Sequence, residues 1–133
     1  MSSGVVYLDS SALMKLIFEE DETHALVRFL VDRPLRFCSI VGRVEVLRGA
    51  RLVDDDLVIA QAHDVLAGIQ LVDLDALTIR RAIDINPRTL RALDAIHLAT
   101  ALSLEPDLDG MVVYDKRLGE AARAAGLTVW APA

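Results

Sequence analysis

The sequence predicts an α/β fold in which a parallel sheet of about five short strands is covered by helices on both faces. Three observations carry this. Apolar runs of four or five residues alternate with longer stretches of helical character, the pattern of strands joined by right-handed crossovers. Two of those runs end at an aspartate, Asp9 and Asp115. The composition is 53% hydrophobic but only 5% aromatic, so the core must be built from Ala, Val, Leu and Ile in tightly packed layers.

The elements follow in order. Gly4 to Leu8 (GVVYL) is a buried parallel strand stopped by Asp9. Ser10 and Ser11 offer an N-cap to a helix carrying Leu13, Leu16 and Ile17. Glu19 to Glu22 is a solvated turn, and a second helix over about Thr23 to Val31 ends before Arg33 and Pro34. Leu35 to Cys38 is the second strand, and Ser39 caps a helix containing Glu45. The acidic triplet Asp54 to Asp56 precedes another helix, closed by Gly68. Ile69 to Val72 is the third strand; it is followed by Asp73 and the N-cap Asp75, and the next helix is broken at Asn86 and Pro87.

The stretch LRALDAIHLATAL, Leu90 to Leu102, is a helix buried on most sides with one carboxylate, Asp94, near its start. A buried charge needs a cap, a cation or a metal to offset its lost hydration. Glu105 to Gly110 reads as a loop, and its two aspartates lack the later ligands of a calcium loop. Met111 to Tyr114 is a fourth strand ending at Asp115, Lys116 to Ala125 a helix stopped by Gly126, and Leu127 to Trp130 the last strand.

At 133 residues the whole chain, 1–133, is expected to be one domain. No run free of Asp, Glu, Lys and Arg exceeds ten residues, the length of Ala95 to Leu104, well short of the roughly 18 that span a membrane. The first basic residue is Lys15, so no secretory signal is expected. Cys38 is the only cysteine, which excludes an internal disulfide and fits the cytoplasm. A formal charge of -6 argues against a general basic field for phosphate binding. The charge is uneven, however: Arg28 to Arg51 holds six arginines against Asp32 and Glu45.

In open parallel sheets, ligands collect outside the C-terminal strand ends, where strand order reverses. Asp73 could sit at a third strand end in the same way as Asp9 and Asp115, and Asp9, Glu45, Asp94 and Asp115 would rise together around that crevice. Carboxylates about 4 Å apart repel by about 4 kcal/mol per pair at an effective dielectric of 20, so a cluster needs a cation. Hard oxygen ligands without a thiolate or a histidine pair point to Mg²⁺ or Mn²⁺. His97, one turn after Asp94, is read as a core or supporting group rather than a ligand. No Walker A or GxGxxG motif is present, and Ser10 and Ser11 have no identifiable histidine base, which leaves metal-assisted phosphodiester hydrolysis as the chemistry of choice.

The segments YLDSSAL, VGRVEVLRGA, LRALDAIHLATAL and VVYDKRL together resemble the PIN-domain ribonucleases, and within them the VapC toxins of toxin-antitoxin pairs. The resemblance spans essentially the whole chain. It implies a PIN-like three-layer α/β/α sandwich in which Asp9, Glu45, Asp94 and Asp115 line a divalent-metal site for cleavage of single-stranded RNA positions, supported by Ser11 and, less directly, Ser10. It also implies a small VapB-type antitoxin as partner and a homodimer. Many relatives carry Ser or Thr two residues before the fourth acid; Val113 stands here, which weakens Asp115 as a ligand and leaves a non-cleaving RNA- or partner-binding scaffold as the alternative. A phosphoacceptor receiver domain is disfavoured, since Asp9 is followed by serines and Trp130 by Ala131 and Pro132. Arg43, Arg48, Arg88, Arg91, Lys116 and Arg117 flank the acids and are candidate phosphate contacts, with local ion pairs such as Glu45–Arg48 and Asp94–Arg91 as their plainer role.

Overall fold

The computed structural model describes residues 2–133. Five parallel strands, β1 (Val5–Leu8), β2 (Leu35–Ser39), β3 (Gln70–Val72), β4 (Leu108–Val112) and β5 (Val129–Trp130), form one sheet in the order β3-β2-β1-β4-β5. Seven helices connect them: α1 (Ser10–Ile17), α2 (Thr23–Leu30), α3 (Ile40–Val53), α4 (Asp56–Ala67), α5 (Ala76–Asp84), α6 (Ala92–Leu102) and α7 (Lys116–Ala124). The chain builds outward from β1 through β2 to β3, then returns to the other side of β1 for β4 and β5. With right-handed crossovers that reversal puts α1 to α4 in one layer and α5 to α7 in the other. The helix contacts follow this division: α1 packs on α2, α3 and α4, while α6 packs on α5 and α7.

Strand β1 lies at the centre, and Val6, Tyr7 and Leu8 are completely buried, as a strand covered on both faces requires. Small and branched residues complete the core, among them Ala12, Val46, Ala50, Leu98, Ala101, Val112 and Ala122. The reversal of strand order falls between β1 and β4, whose C-terminal ends lead to Asp9 and Asp115.

Two of the expected strands change by more than one residue. The fourth strand starts at Leu108, not Met111, and ends at Val112, so Leu108 to Gly110 belongs to the sheet rather than to a loop. Asp109 is committed there: its carboxylate accepts hydrogen bonds from Ser2 Oγ and from the Ser3 and Gly4 amides, tying down the N-terminal segment. Those donors, the Ser2 hydroxyl first, pull its pKa down to about 2. The last strand is shorter than Leu127 to Trp130, comprising only Val129 and Trp130.

Helix α3 can approach β2 closely because residue 42 is glycine. A Cβ added at Gly42 would lie 2.4 Å from Cys38 Sγ and 3.5 Å from His97 Cε1. Gly42→Ala is therefore expected to destabilise the protein by about 1–3 kcal/mol in chemical denaturation. Adding Cys38→Ala, which removes the sulfur, should recover most of that loss; equal losses in single and double variants would show that the contact is not the cause.

Candidate active site

The sequence Leu-Asp-Ser-Ser ends a buried strand and starts a helix in four residues, which brings the first acid into the middle of the sheet edge. Asp9 is the N-cap of α1, and its Oδ1 accepts hydrogen bonds from Ala12 N (3.0 Å) and Ser11 Oγ (2.6 Å). No protein group donates to Oδ2 among the described residues. Asp9 is only 2% exposed. Burial raises its pKa to about 6 against the pull of Ser11 and Ala12, and the neighbouring Asp94 charge adds to the rise. Ser11 also accepts from Tyr114 N at 3.3 Å, so one hydroxyl joins the first turn of α1 to the segment before α7.

Asp115 repeats the arrangement on the adjacent strand. It caps α7, with Oδ1 accepting from Leu118 N at 2.9 Å. Asp94 lies in the first turn of α6, whose N-cap is Arg91. The helix thus starts two residues later than Leu90, and the acid stands near the positive end of its dipole. Burial raises the Asp94 pKa, the Asp115 charge raises it further, and Arg91 opposes both. Arg91 bridges the two acids, with Nε 3.5 Å from Asp94 Oδ2 and Nη2 3.8 Å from Asp115 Oδ2.

Glu45 comes from the second turn of α3. Its Oε1 meets His97 Nε2 at 2.7 Å, and its Oε2 accepts from Ser10 Oγ at 3.2 Å. His97 Nδ1 in turn meets Tyr7 Oη at 2.7 Å, and that oxygen accepts from Ser39 N at 2.9 Å. The expected pairing of Glu45 with Arg48 is replaced by this buried chain, whereas the pairing of Asp94 with Arg91 is present. His97 was identifiable from its place one turn after Asp94. Tyr7, a core residue by its strand position, carried no local signal of its role because its partner is 90 residues away.

All four acids, both serines and Arg91 line one open cleft of 490 Å³, with Met14 and Leu93 as apolar wall. Asp73, exposed after the edge strand β3, takes no part in it. Val113 is 3% exposed, packs in the core and does not line the cleft. Of the candidate cations, only Arg91 lines this cleft. Arg48 borders an adjoining apolar hollow with Val44 and Leu52, which shares Glu45 and Leu93 with the cleft, and Arg117 borders a groove with Leu90 and Glu120. Arg43, Arg88 and Lys116 are exposed and form no ion pair among the described residues.

Among the described residues, no three acids or histidines already close around a single point as a finished cage. The donor set nevertheless suits Mg²⁺ or Mn²⁺, since Mg²⁺ is held by one or two carboxylates and keeps several waters. Asp9 and Asp94 each carry a raised pKa that a nearby dication would lower, and Oδ2 of Asp9 is unpartnered. Glu45 and Asp115 already have protein donors on one or both oxygens and would contribute through the remaining lone pairs.

The PIN domain family profile matches residues 6–124. That match contains every acid of the cleft. The chain belongs to the PIN-domain family. Within it, this PIN domain groups with the VapC ribonucleases: it is 41% identical to Ribonuclease VapC46 of Mycobacterium tuberculosis over 97% of its own length and 98% of the relative's. Against Ribonuclease VapC35 of the same species it is 43% identical, over 96% and 97% of the two chains. Solved structures share its fold. A toxin-antitoxin complex from Klebsiella pneumoniae aligns with a TM-score of 0.73 at 19% identity, covering 96% of this chain and 98% of the other. The sarcin-ricin loop cleaving toxin VapC20 of Mycobacterium tuberculosis aligns at 0.70 and 16% identity, covering 92% and 96%. Among the described residues, no helix of this PIN domain is long and apolar enough to cross a membrane.

Proposed function

We propose that this PIN domain is the endoribonuclease toxin of a toxin-antitoxin pair and hydrolyses RNA phosphodiester bonds with a divalent cation, Mg²⁺ or Mn²⁺, bound by Asp9, Asp94, Asp115 and Glu45. The observation that carries this reading is the gathering of four acids from distant parts of the chain into one cleft, in a protein whose relatives over nearly full length are ribonucleases. When bound, the cation supplies a polarised phosphate and a water of lowered pKa.

The chain's own residues do the rest. Ser11 and the Ala12 amide hold Oδ1 of Asp9 and so turn Oδ2 to the cleft. Asp115 is held in the same way by the Leu118 amide. Glu45 is oriented from two sides by His97 and Ser10 and accepts a proton from attacking water through its remaining lone pairs. Arg91, 76% exposed in its side chain, swings from the two acids to a scissile phosphate when RNA enters. Arg43, Arg48, Lys116 and Arg117 lie farther out and contact the flanking backbone. Leu93 and Met14 give bases an apolar wall. Substrates are structured RNAs such as tRNA or rRNA, cut at exposed single-stranded positions in the cytoplasm, and the partners are a VapB-type antitoxin and a second copy of the chain.

Purified protein incubated with structured RNA is expected to cut in Mg²⁺ and to stop in excess EDTA. The products should carry 5′-phosphate and 3′-hydroxyl ends, because water attacks rather than the 2′-hydroxyl. Cleavage that continues in chelator, or that leaves 2′,3′-cyclic phosphates, would refute the proposal.

A further inference from the structure

Glu45 differs from the other acids of the cleft in how it is held. Asp9 and Asp115 are fixed by the helices they cap, and Asp94 by its place in the first turn of α6. Glu45 has a longer side chain on α3, whose exposed face includes Val44 and Leu52, and no backbone amide donates to its carboxylate among the described residues. Its position depends on side chains from other elements.

Those side chains are Ser10, next to Asp9 at the start of α1, and His97 on α6, the helix that carries Asp94; Tyr7 on β1 holds His97 in turn. Tyr7 lies on β1 two residues before Asp9, which directly follows the strand. His97 follows Asp94 by one helical turn on α6. Tyr7 is 0% exposed and His97 1% exposed. Every polar atom in the chain from Ser39 to Glu45 has a partner if Tyr7 accepts from Ser39 N and donates to His97 Nδ1, and Nε2–H of His97 donates to Glu45 Oε1. That order of donors selects one tautomer of the imidazole, and a buried network satisfied throughout is rigid.

We propose that His97, locked by Tyr7 and the Ser39 amide, is a positioning residue that keys the Glu45 carboxylate to the strand and helix bearing Asp9 and Asp94. The inference rests on the cleft reading above and concerns how its second acid is aimed. A histidine with only a packing role would fill the same space without needing a donor directed at Glu45.

The test is calorimetric titration of Mn²⁺ into the full chain below the unfolding midpoint of each variant. His97→Leu keeps the bulk and removes the donor; it should weaken Mn²⁺ binding about 10-fold, the low end of the range seen for partners of metal ligands. Tyr7→Phe should weaken it in the same direction and shift the His97 ring ¹⁵N resonances away from a pure Nε2–H pattern. His97→Gln, which keeps a donor, should recover to within about threefold of wild type. In a Glu45→Ala background, His97→Leu should have no further effect. Wild-type affinity in His97→Leu, or an undiminished loss in the Glu45→Ala background, overturns the inference. Unchanged Mn²⁺ binding by Asp94→Asn overturns the cleft reading itself, and this inference with it. If His97→Leu fails to fold, His97→Gln and the ring ¹⁵N spectrum of Tyr7→Phe decide alone: loss of affinity in the former, or an unchanged tautomer in the latter, contradicts the role.

Discussion

Asp94→Asn is expected to lower RNA cleavage by about 10³-fold while the protein keeps its fold, equivalent to about 4 kcal/mol of lost transition-state stabilisation. Asn has the shape of Asp, and this side chain, 19% exposed, makes no hydrogen bond that organises α6; the cap of that helix is Arg91. What the substitution removes is charge, at the acid that stands between Asp9 and Asp115 in the cleft's electrostatics. It also frees Arg91 from half of its bridge. Steady-state cleavage of an RNA substrate, with thermal unfolding run alongside, checks both halves. Loss of activity accompanied by unfolding would assign Asp94 a structural role instead.

Asp9→Asn should raise stability in the absence of metal. Because the folded protein holds the Asp9 carboxyl at a pKa of about 6, above the unfolded value near 3.9, the folded state binds more protons than the unfolded state between those two values. Stability contributed by the protonated form is therefore complete below about pH 4 and declines as pH rises through 6. The difference corresponds to about 3 kcal/mol lost by neutral pH. Asn offers the same Oδ1 to Ala12 N and Ser11 Oγ and caps as well as Asp. The metal-free variant should thus melt higher than wild type at pH 7.5 and match it near pH 4. Added Mg²⁺ should raise the melting temperature of wild type and leave the variant's almost unmoved. A variant less stable than wild type at pH 7.5 in chelator would contradict the assignment of strain to this carboxylate. On the proposed reading, one buried charge sets stability against cation binding.

Much of this was legible in the chain because the apolar runs are short and bounded by aspartates. Asp9, Asp94 and Asp115 could be placed at strand or helix ends since an acid that stops an apolar run has few other positions open to it. Glu45 was harder, being a mid-helix acid whose partners come from other elements. The true start of β4 escaped the pattern because Asp109 and Gly110 look like turn residues. Asp109 is instead satisfied by the N-terminal serines, and Gly110 admits the ring of Trp130, which lies 2.6 Å from where a Cβ would be. Val113, singled out by the resemblance alone, lies buried after β4, where its N–H donates to Trp130 O. The link from Tyr7 through His97 to Glu45 joins three elements that only the folded sheet brings together, so no local spacing could reveal it.

The measurement that bears most directly on the central claim is transcriptome-wide mapping of RNA 5′ ends in cells induced to make either the wild-type chain or Asp94→Asn. New 5′-phosphate ends at a small number of discrete positions with wild type, absent with Asp94→Asn at equal protein level, are the predicted result. The same ends in both, or none with wild type, would contradict it.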